Sequence, residues 1–188
     1  MQRLLALLLL LGIFPLCPIF FLCIKFTSPG PFVFRQKRIG KDKKSFTIYK
    51  FRTMVAEAET LKARYLKLNE ADGPVFKIRS DPRYTSFGKI LAHSGLDELP
   101  QLINIAKGEM AFVGPRPLPT YEAKKIPSKY NARFSVLPGL TSPWVVKGSH
   151  KLSFDQWMKL DIKYVNEKNI WYNIKIIIKT ALIILRIA

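Results

Sequence analysis

Acidic residues are scarce in this sequence. Its 188 residues hold 13 Asp plus Glu against 31 Lys plus Arg, a formal charge of +18. That balance suits nucleic acid, anionic lipid headgroups or phosphorylated substrates, and charge alone does not choose among them. Cysteine is limited to Cys17 and Cys23, both in the first apolar stretch. This excludes a disulfide framework or a Cys-based zinc site, and it allows a cytoplasmic body. In an apolar stretch, free Cys behaves as a small hydrophobe. His93 and His150 stand apart, without acid or Cys companions at ligand or base spacing, and read as structural or surface residues. Internal repeats and low-complexity tracts are absent. The length suits one domain, with 48% hydrophobic residues to build its core.

Charge is also missing from Leu4 to Ile24. A straight helix rises ~1.5 Å per residue, so this run reaches across ~30 Å of hydrocarbon. Arg3 precedes it as in a signal peptide, but the run ends in Lys25-Phe26-Thr27 with no small-x-small cleavage site. Pro15 and Pro18 each lack an N–H and free a carbonyl one turn earlier. Both a kinked spanning helix and a re-entrant helix that returns to the same face accommodate them. Apart from Arg3 and Lys25, every basic residue lies beyond residue 34, so the positive-inside rule places the body in the cytoplasm.

The expected organisation is a membrane helix over 1–26 and one cytoplasmic domain over 27–188. Its class is α/β of the α+β kind, mostly helical with a small β-hairpin. Thr27 to Pro31 is a breaker-rich linker. Phe32 to Phe34 and Phe46 to Tyr49 read as strands around a Gly40-Lys41-Asp42 turn. Val55, Ala58, Leu61, Tyr65 and Leu68 predict a helix over 54–69. Leu99, Leu102, Ile103 and Ala106 predict another. Pro100 is tolerable only in a first turn, so this helix starts near Asp97 and stops at Gly108. Ser153 and Gln156 form a capping box. The segment from Ile170 to Leu185 is nearly all apolar. Lys175 and Lys179 are four apart and Arg186 falls near the same stripe, which suits an interfacial helix or a C-terminal core helix.

Four places carry candidate chemistry. Asp97 and Glu98 are adjacent, so on a helix they diverge by about 100° rather than share a proton. A helix start favours their ionised forms. An ionised Asp can attack phosphorus, and an ionised Glu can hold Mg2+ or accept a proton. Ordinary helix-start acids have the same spacing. Arg116, between Pro115 and Pro117, presents a guanidinium from a rigid support, suited to phosphate or simply solvated. Lys50 and Arg52 share one strand face, as a diphosphate contact or a solvated basic edge. Asp161 lies on the apolar face of its helix, where a carboxylate needs a partner or has a function.

Several runs together resemble the bacterial sugar transferase family, the monotopic phosphoglycosyl transferases. They are Phe46-Thr-Ile-Tyr-Lys-Phe-Arg-Thr-Met54, Ser80-Asp-Pro-Arg83 with Phe87-Gly88, and Leu96-Asp-Glu-Leu-Pro-Gln-Leu102. Lys107-Gly-Glu-Met110, Phe112-Val-Gly-Pro-Arg-Pro-Leu118 and Pro138-Gly-Leu-Thr141 follow. Leu160-Asp161, Tyr164 and Ile174-Lys175-Ile176 complete the set. The ordered set runs over nearly the whole chain and is highly specific.

The resemblance implies a catalytic domain fused to a re-entrant helix broken at Pro15, with surface helices in the cytoplasmic leaflet of the bacterial inner membrane. It implies that Asp97 attacks the β-phosphate of a nucleotide sugar, usually UDP-linked, and releases UMP. The sugar phosphate then passes to polyprenol phosphate. Glu98 would order Mg2+ or deprotonate the acceptor, and Arg116 would hold phosphate with Lys50 or Arg52 nearby. Asp161 matches an aspartate that recurs in the family. The implied partners are the two substrates and membrane lipids, not nucleic acid. Three positions depart from the family pattern: Ala92 where Arg is usual, Asn173 where Asp is common, and Phe14 where Ser often precedes the membrane proline. A rival reading is a non-catalytic, membrane-tethered basic protein that binds lipid or nucleic acid, since aromatics interleave with basics at Lys50 to Arg52.

Overall fold

The computed structural model describes residues 1–148 and 152–187. His150 and the side chain of Arg186 lie outside the described residues. The charge-free N-terminus forms α1 (Gln2–Ile13) and α2 (Cys17–Thr27), joined by a single 3₁₀ turn at Phe14–Leu16. Pro15 and Pro18 open the elements they belong to, where a missing N–H leaves little unsatisfied. With Phe14 in place of a hydroxyl residue, the Cys17 thiol is the side chain that reaches back, donating weakly to the Ile13 carbonyl at 3.8 Å.

Gln2–Thr27 is long and apolar enough to cross a membrane. Both of its halves nevertheless pack on the body. Ala6, Leu10 and Ile13 of α1 join Leu102, Ile105 and Met110 in one core cluster. Ile24 of α2 joins Phe51 and Leu91 in another. At the start, the Phe112 N–H donates to the Gln2 side chain at 3.2 Å. At the end, Lys25 donates to the Gly30 carbonyl at 2.8 Å.

The body is α+β, mostly helical around a small sheet. β1 (Val33–Ile39) and β2 (Ser45–Phe51) form the expected hairpin, longer than the sequence predicts. β4 (Leu118–Pro119) joins the free edge of β1, giving the order β2-β1-β4. A separate parallel pair joins β3 (Ala111–Val113) to β5 (Gly139–Thr141). The stretch expected as one helix over 54–69 is instead α3 (Ala58–Leu61) continued by a 3₁₀ helix over Lys62–Leu68.

Three consecutive elements position the site: α4 (Ser86–Ser94), a 3₁₀ helix (Leu96–Gln101) and α5 (Leu102–Lys107). Thr85 caps α4, accepting from the Gly88 N–H at 3.0 Å. Gly88 is required by close approach, since a Cβ there would lie 1.9 Å from the Thr53 carbonyl oxygen. α4 therefore rests directly on the backbone leaving β2. Gly95, left-handed at φ 73, turns the chain into the 3₁₀ helix. α2 packs on α4 and α1 on α5, so the apolar helix underlies the segment carrying Asp97 and Glu98.

After α6 (Thr120–Ala123) and α7 (Pro143–Val146), α8 (Phe154–Glu167) begins with the predicted capping box. α9 (Ile170–Ile187) buries Ile176 beside Tyr164 and leaves Trp171, Ile174, Ile178 and Leu182 exposed.

Candidate active site

The site forms where the end of β2 meets the 3₁₀ helix. Lys50 reaches across and its ammonium bridges both carboxylates, 3.1 Å from Asp97 and 2.7 Å from Glu98. Arg116 closes on the same Glu98 oxygen at 2.9 Å. Asp97 is 6% exposed. The two carboxylates do not share a proton with each other; they share a cation.

The sequence predicts two ionised acids at a helix start, but the environments differ. Burial pushes the Asp97 carboxyl above the ordinary aspartate value, with Lys50 pulling against it and Glu98 adding to it. Burial pushes Glu98 up too, but Arg116 and Lys50 together outweigh it and hold Glu98 at about 2. Neighbouring carboxylates whose environments separate their protonation are suited to separate roles.

Arg116 is fixed by more than its prolines. Its guanidinium lies 5.6 Å from the centre of the Trp144 ring, which stacks on Trp157 at 4.5 Å. Its backbone carbonyl accepts from Arg133 at 2.8 Å. Arg133 is in turn held by Asp161, with two N–H groups on one carboxylate oxygen at 2.8 and 3.0 Å. Asp161 is 0% exposed. Burial pushes its carboxyl up to about 6, against the pull of Arg133 and the Trp157 indole. Asp161 thus stands behind Arg116 through Arg133 rather than beside the carboxylates.

Arg52 is elsewhere. β2 ends at Phe51, so its alternation stops before Arg52. The guanidinium turns to the Ser28 and Pro29 carbonyls and fastens the linker after α2. The Lys50–Arg52 pair therefore does not act as one contact. Lys50 is not a solvated edge residue either, because it faces inward to the carboxylates.

Ala92 sits half-buried on α4 and adds no charge to the site. Asn173 lies 3.0 Å from the Tyr164 hydroxyl, outside the carboxylate cluster. Arg133, Trp144, Arg38 and Gln101 were not singled out in the sequence, although Arg38 and Gln101 line the cleft with Lys50, Glu98 and Arg116. Gln101 lies within the Leu96 to Leu102 run; the others carry no local pattern.

The chain matches the family model described as bacterial sugar transferase over residues 1–187. It is 41% identical over 157 residues to the galactosyl transferase CpsE of Streptococcus agalactiae, covering 83% of this chain and 35% of that protein. It is 35% identical over 165 residues to the undecaprenyl-phosphate galactose phosphotransferase of Salmonella typhimurium, covering 84% of this chain and 34% of that one. The exopolysaccharide production protein ExoY of Sinorhizobium fredii is 33% identical over 182 residues, 93% of this chain and 80% of ExoY. The chain thus spans about a third of the length of the first two relatives.

Proposed function

The chain belongs to the bacterial sugar transferase family, and from that premise we propose that it moves a sugar phosphate from a nucleotide sugar, of the UDP-linked class, to polyprenol phosphate. The observation that carries this reading is buried Asp97 beside half-buried Glu98, bridged by Lys50, with Arg116 on Glu98, on a 3₁₀ helix set between α4 and α5, the two helices on which the apolar helix packs. It joins a nucleophile, phosphate-binding cations and a membrane contact in one place.

In the first step an Asp97 oxygen attacks the β-phosphorus. The bond from that phosphorus to the bridging oxygen breaks, and UMP leaves with the electron pair. An acyl phosphate carrying the sugar remains on Asp97. In the second step an oxygen of polyprenol phosphate attacks the same phosphorus and Asp97 departs as carboxylate. The product is a polyprenol diphosphate sugar. Lys50 and Arg116 neutralise the equatorial charge that phosphoryl transfer develops.

Glu98, held at about 2, is a weak base. A phosphate monoester is already mostly ionised at neutral pH, so the acceptor needs little deprotonation. Glu98 therefore suits cation holding better than proton transfer. Mg2+ fits this donor set: two adjacent carboxylates plus substrate phosphates is a common way to hold it, and one Lys50 ammonium already satisfies both groups. Asp97 and Glu98 would hold the ion, which supplies charge neutralisation when bound. Among the described residues, no cluster of three or more His, Cys, Asp or Glu could hold a metal by itself.

The packing of α1 on α5 and of α2 on α4 supports a re-entrant helix, and the basic residues beyond residue 34 support a body on the cytoplasmic side. The exposed apolar stripe of α9, flanked by Lys175 and Lys179, supports an interfacial helix.

UMP release from UDP-sugars, with polyprenol phosphate and Mg2+ present, tests the reading. Its absence with every UDP-sugar would return the chain to the non-catalytic, lipid- or nucleic-acid-binding class.

The pH profile gives a second test. Asp97 attacks as carboxylate, a form lost as pH falls through its raised pKa. The acid limb of UMP release is therefore expected above the ordinary aspartate value of 3.8. Lys50 pulls this group down, so Lys50→Met should lower the rate and move the limb to higher pH. An unmoved limb, or one moved to lower pH, contradicts the assignment of the base form to Asp97.

A further inference from the structure

Among the described residues, two buried donors in the cleft beside Glu98 have no protein partner. In the hairpin, Gln36 pairs with Ile48 and Arg38 with Phe46, while Lys50 pairs with Phe34. The period of two puts Gln36, Arg38, Ile48 and Lys50 on one sheet face. Arg38 enters the cleft on that face next to Lys50, Glu98 and Arg116. One of its terminal N–H groups donates to the Pro117 carbonyl at 3.0 Å. Its Nε is shut away from solvent with no acceptor.

Gln101 enters the same cleft from the 3₁₀ helix. Residues three apart eclipse in such a helix, so Gln101 stands over Glu98. It is 2% exposed, and its Nε2 has no acceptor. Buried N–H groups left unmade are costly, and two converging on one cleft call for an acceptor. The cations outnumber the acids there. Burial, and then the nearby Arg116, lower the pKa of Arg38 to about 10. An anion between these groups relieves both effects.

We infer that Arg38 and Gln101 form a second phosphate subsite that holds the nucleotide-side phosphate of the donor's diphosphate. This rests on the donor reading above. The transferred phosphate must lie against Asp97, and the other phosphate is one bridging oxygen away. A lipid phosphate offers the same chemistry, but the surroundings favour the nucleotide. Arg38 lies on β1, whose neighbours are β2, β4 and α6, whereas the apolar helix packs on α4 and α5. When the bond to the bridging oxygen breaks, the electron pair and negative charge stay on the departing phosphate. Arg38 and Gln101 donate to that phosphate.

The test uses the full chain in nanodiscs and measures binding of UMP and, separately, of a short-chain polyprenol phosphate. Arg38→Gln and Gln101→Leu are each expected to weaken UMP about tenfold or more, as loss of a phosphate contact does. Polyprenol phosphate binding should stay within about twofold. Gln101→Leu removes an unpartnered amide from a buried position, so its melting temperature should hold. It decides the matter if Arg38→Gln does not fold. Unchanged UMP binding in folded Gln101→Leu overturns the inference. So does weakened polyprenol phosphate binding with UMP unaffected, which would give the subsite to the lipid. If the wild-type chain binds polyprenol phosphate but not UMP, the donor reading itself fails.

Discussion

Asp97→Asn is expected to abolish UMP release, by about 10⁴-fold or more, while the protein stays as stable as the wild type or becomes more so. The first half follows from chemistry. An amide cannot form the acyl phosphate, and removing the group that bonds covalently to substrate removes both half-reactions together. The second half follows from burial. Asp97 is 6% exposed, and burial raises its pKa above the ordinary value. The charged form is therefore less favourable in the fold than in the unfolded chain, and the carboxylate is held at some expense to stability. Asn keeps the shape and drops the charge, while Lys50 keeps Glu98 at 2.7 Å. Activity lost with stability retained is the mark of a site residue. An acid serving only the helix start would behave in the opposite way. Two measurements separate these: a thermal melt of the variant, and intact mass after mixing with UDP-sugar alone. The wild type should gain the mass of one sugar phosphate and the variant none. Activity near wild type in the variant would remove Asp97 from the mechanism.

How much of this was legible in the sequence depended on whether the signal was local. The hairpin declared itself through Phe46 to Tyr49 and the Gly40 turn. The capping box at Ser153 and Gln156 was read directly, and both of its bonds are present. Pro100 fixed the start of the site helix, although the first turns are 3₁₀ rather than α. The helix expected over 54–69 fails because its neighbours claim its polar groups. Arg83 takes the Ala58 carbonyl at 2.9 Å, Lys62 reaches Tyr121, and Asn69 folds its amide onto the Ala71 and Val75 carbonyls. None of those partners is visible in the apolar spacing.

The candidate site divides in the same way. Asp161 signalled itself as an acid on an apolar face. Its partner Arg133 did not, because it lies 28 residues away in a stretch with no periodic apolar pattern. Strand alternation predicts Arg52 beside Lys50, but β2 ends at Phe51 and Arg52 turns away. Arg38 looked like one more basic residue in a basic chain. Only the hairpin register shows that it shares a face with Lys50.

The Arg133–Asp161 pair gives the largest expected effect on stability. Arg133 is 3% exposed and Asp161 0%. Breaking such a pair from one side leaves a buried charge without compensation, which costs about 3–5 kcal/mol. Arg133→Met should therefore lower the melting temperature by about 6–20 °C, at ~2–4 °C per kcal/mol for a chain of this size. The pH dependence has a definite sign. Asp161 is already raised from 3.8 to about 6 with Arg133 pulling it down. Because the folded value lies above the unfolded one, the unfolded chain loses this proton first, and stability falls as pH rises from about 4 to 6. Without Arg133 the folded value climbs further, so the fall continues past 6 and the gap to wild type widens toward pH 8. A constant gap across that range would mean that Arg133 does not set the Asp161 charge. Replacing both partners, as Arg133→Met with Asp161→Leu, should recover most of the stability and flatten the pH dependence. It should not recover activity. The Arg116 carbonyl loses its 2.8 Å donor in either variant, and Arg116 then holds Glu98 and substrate phosphate less firmly. A stable double variant with a raised KM for the nucleotide sugar would separate the two roles of the pair. One with wild-type kinetics would confine Asp161 to the core.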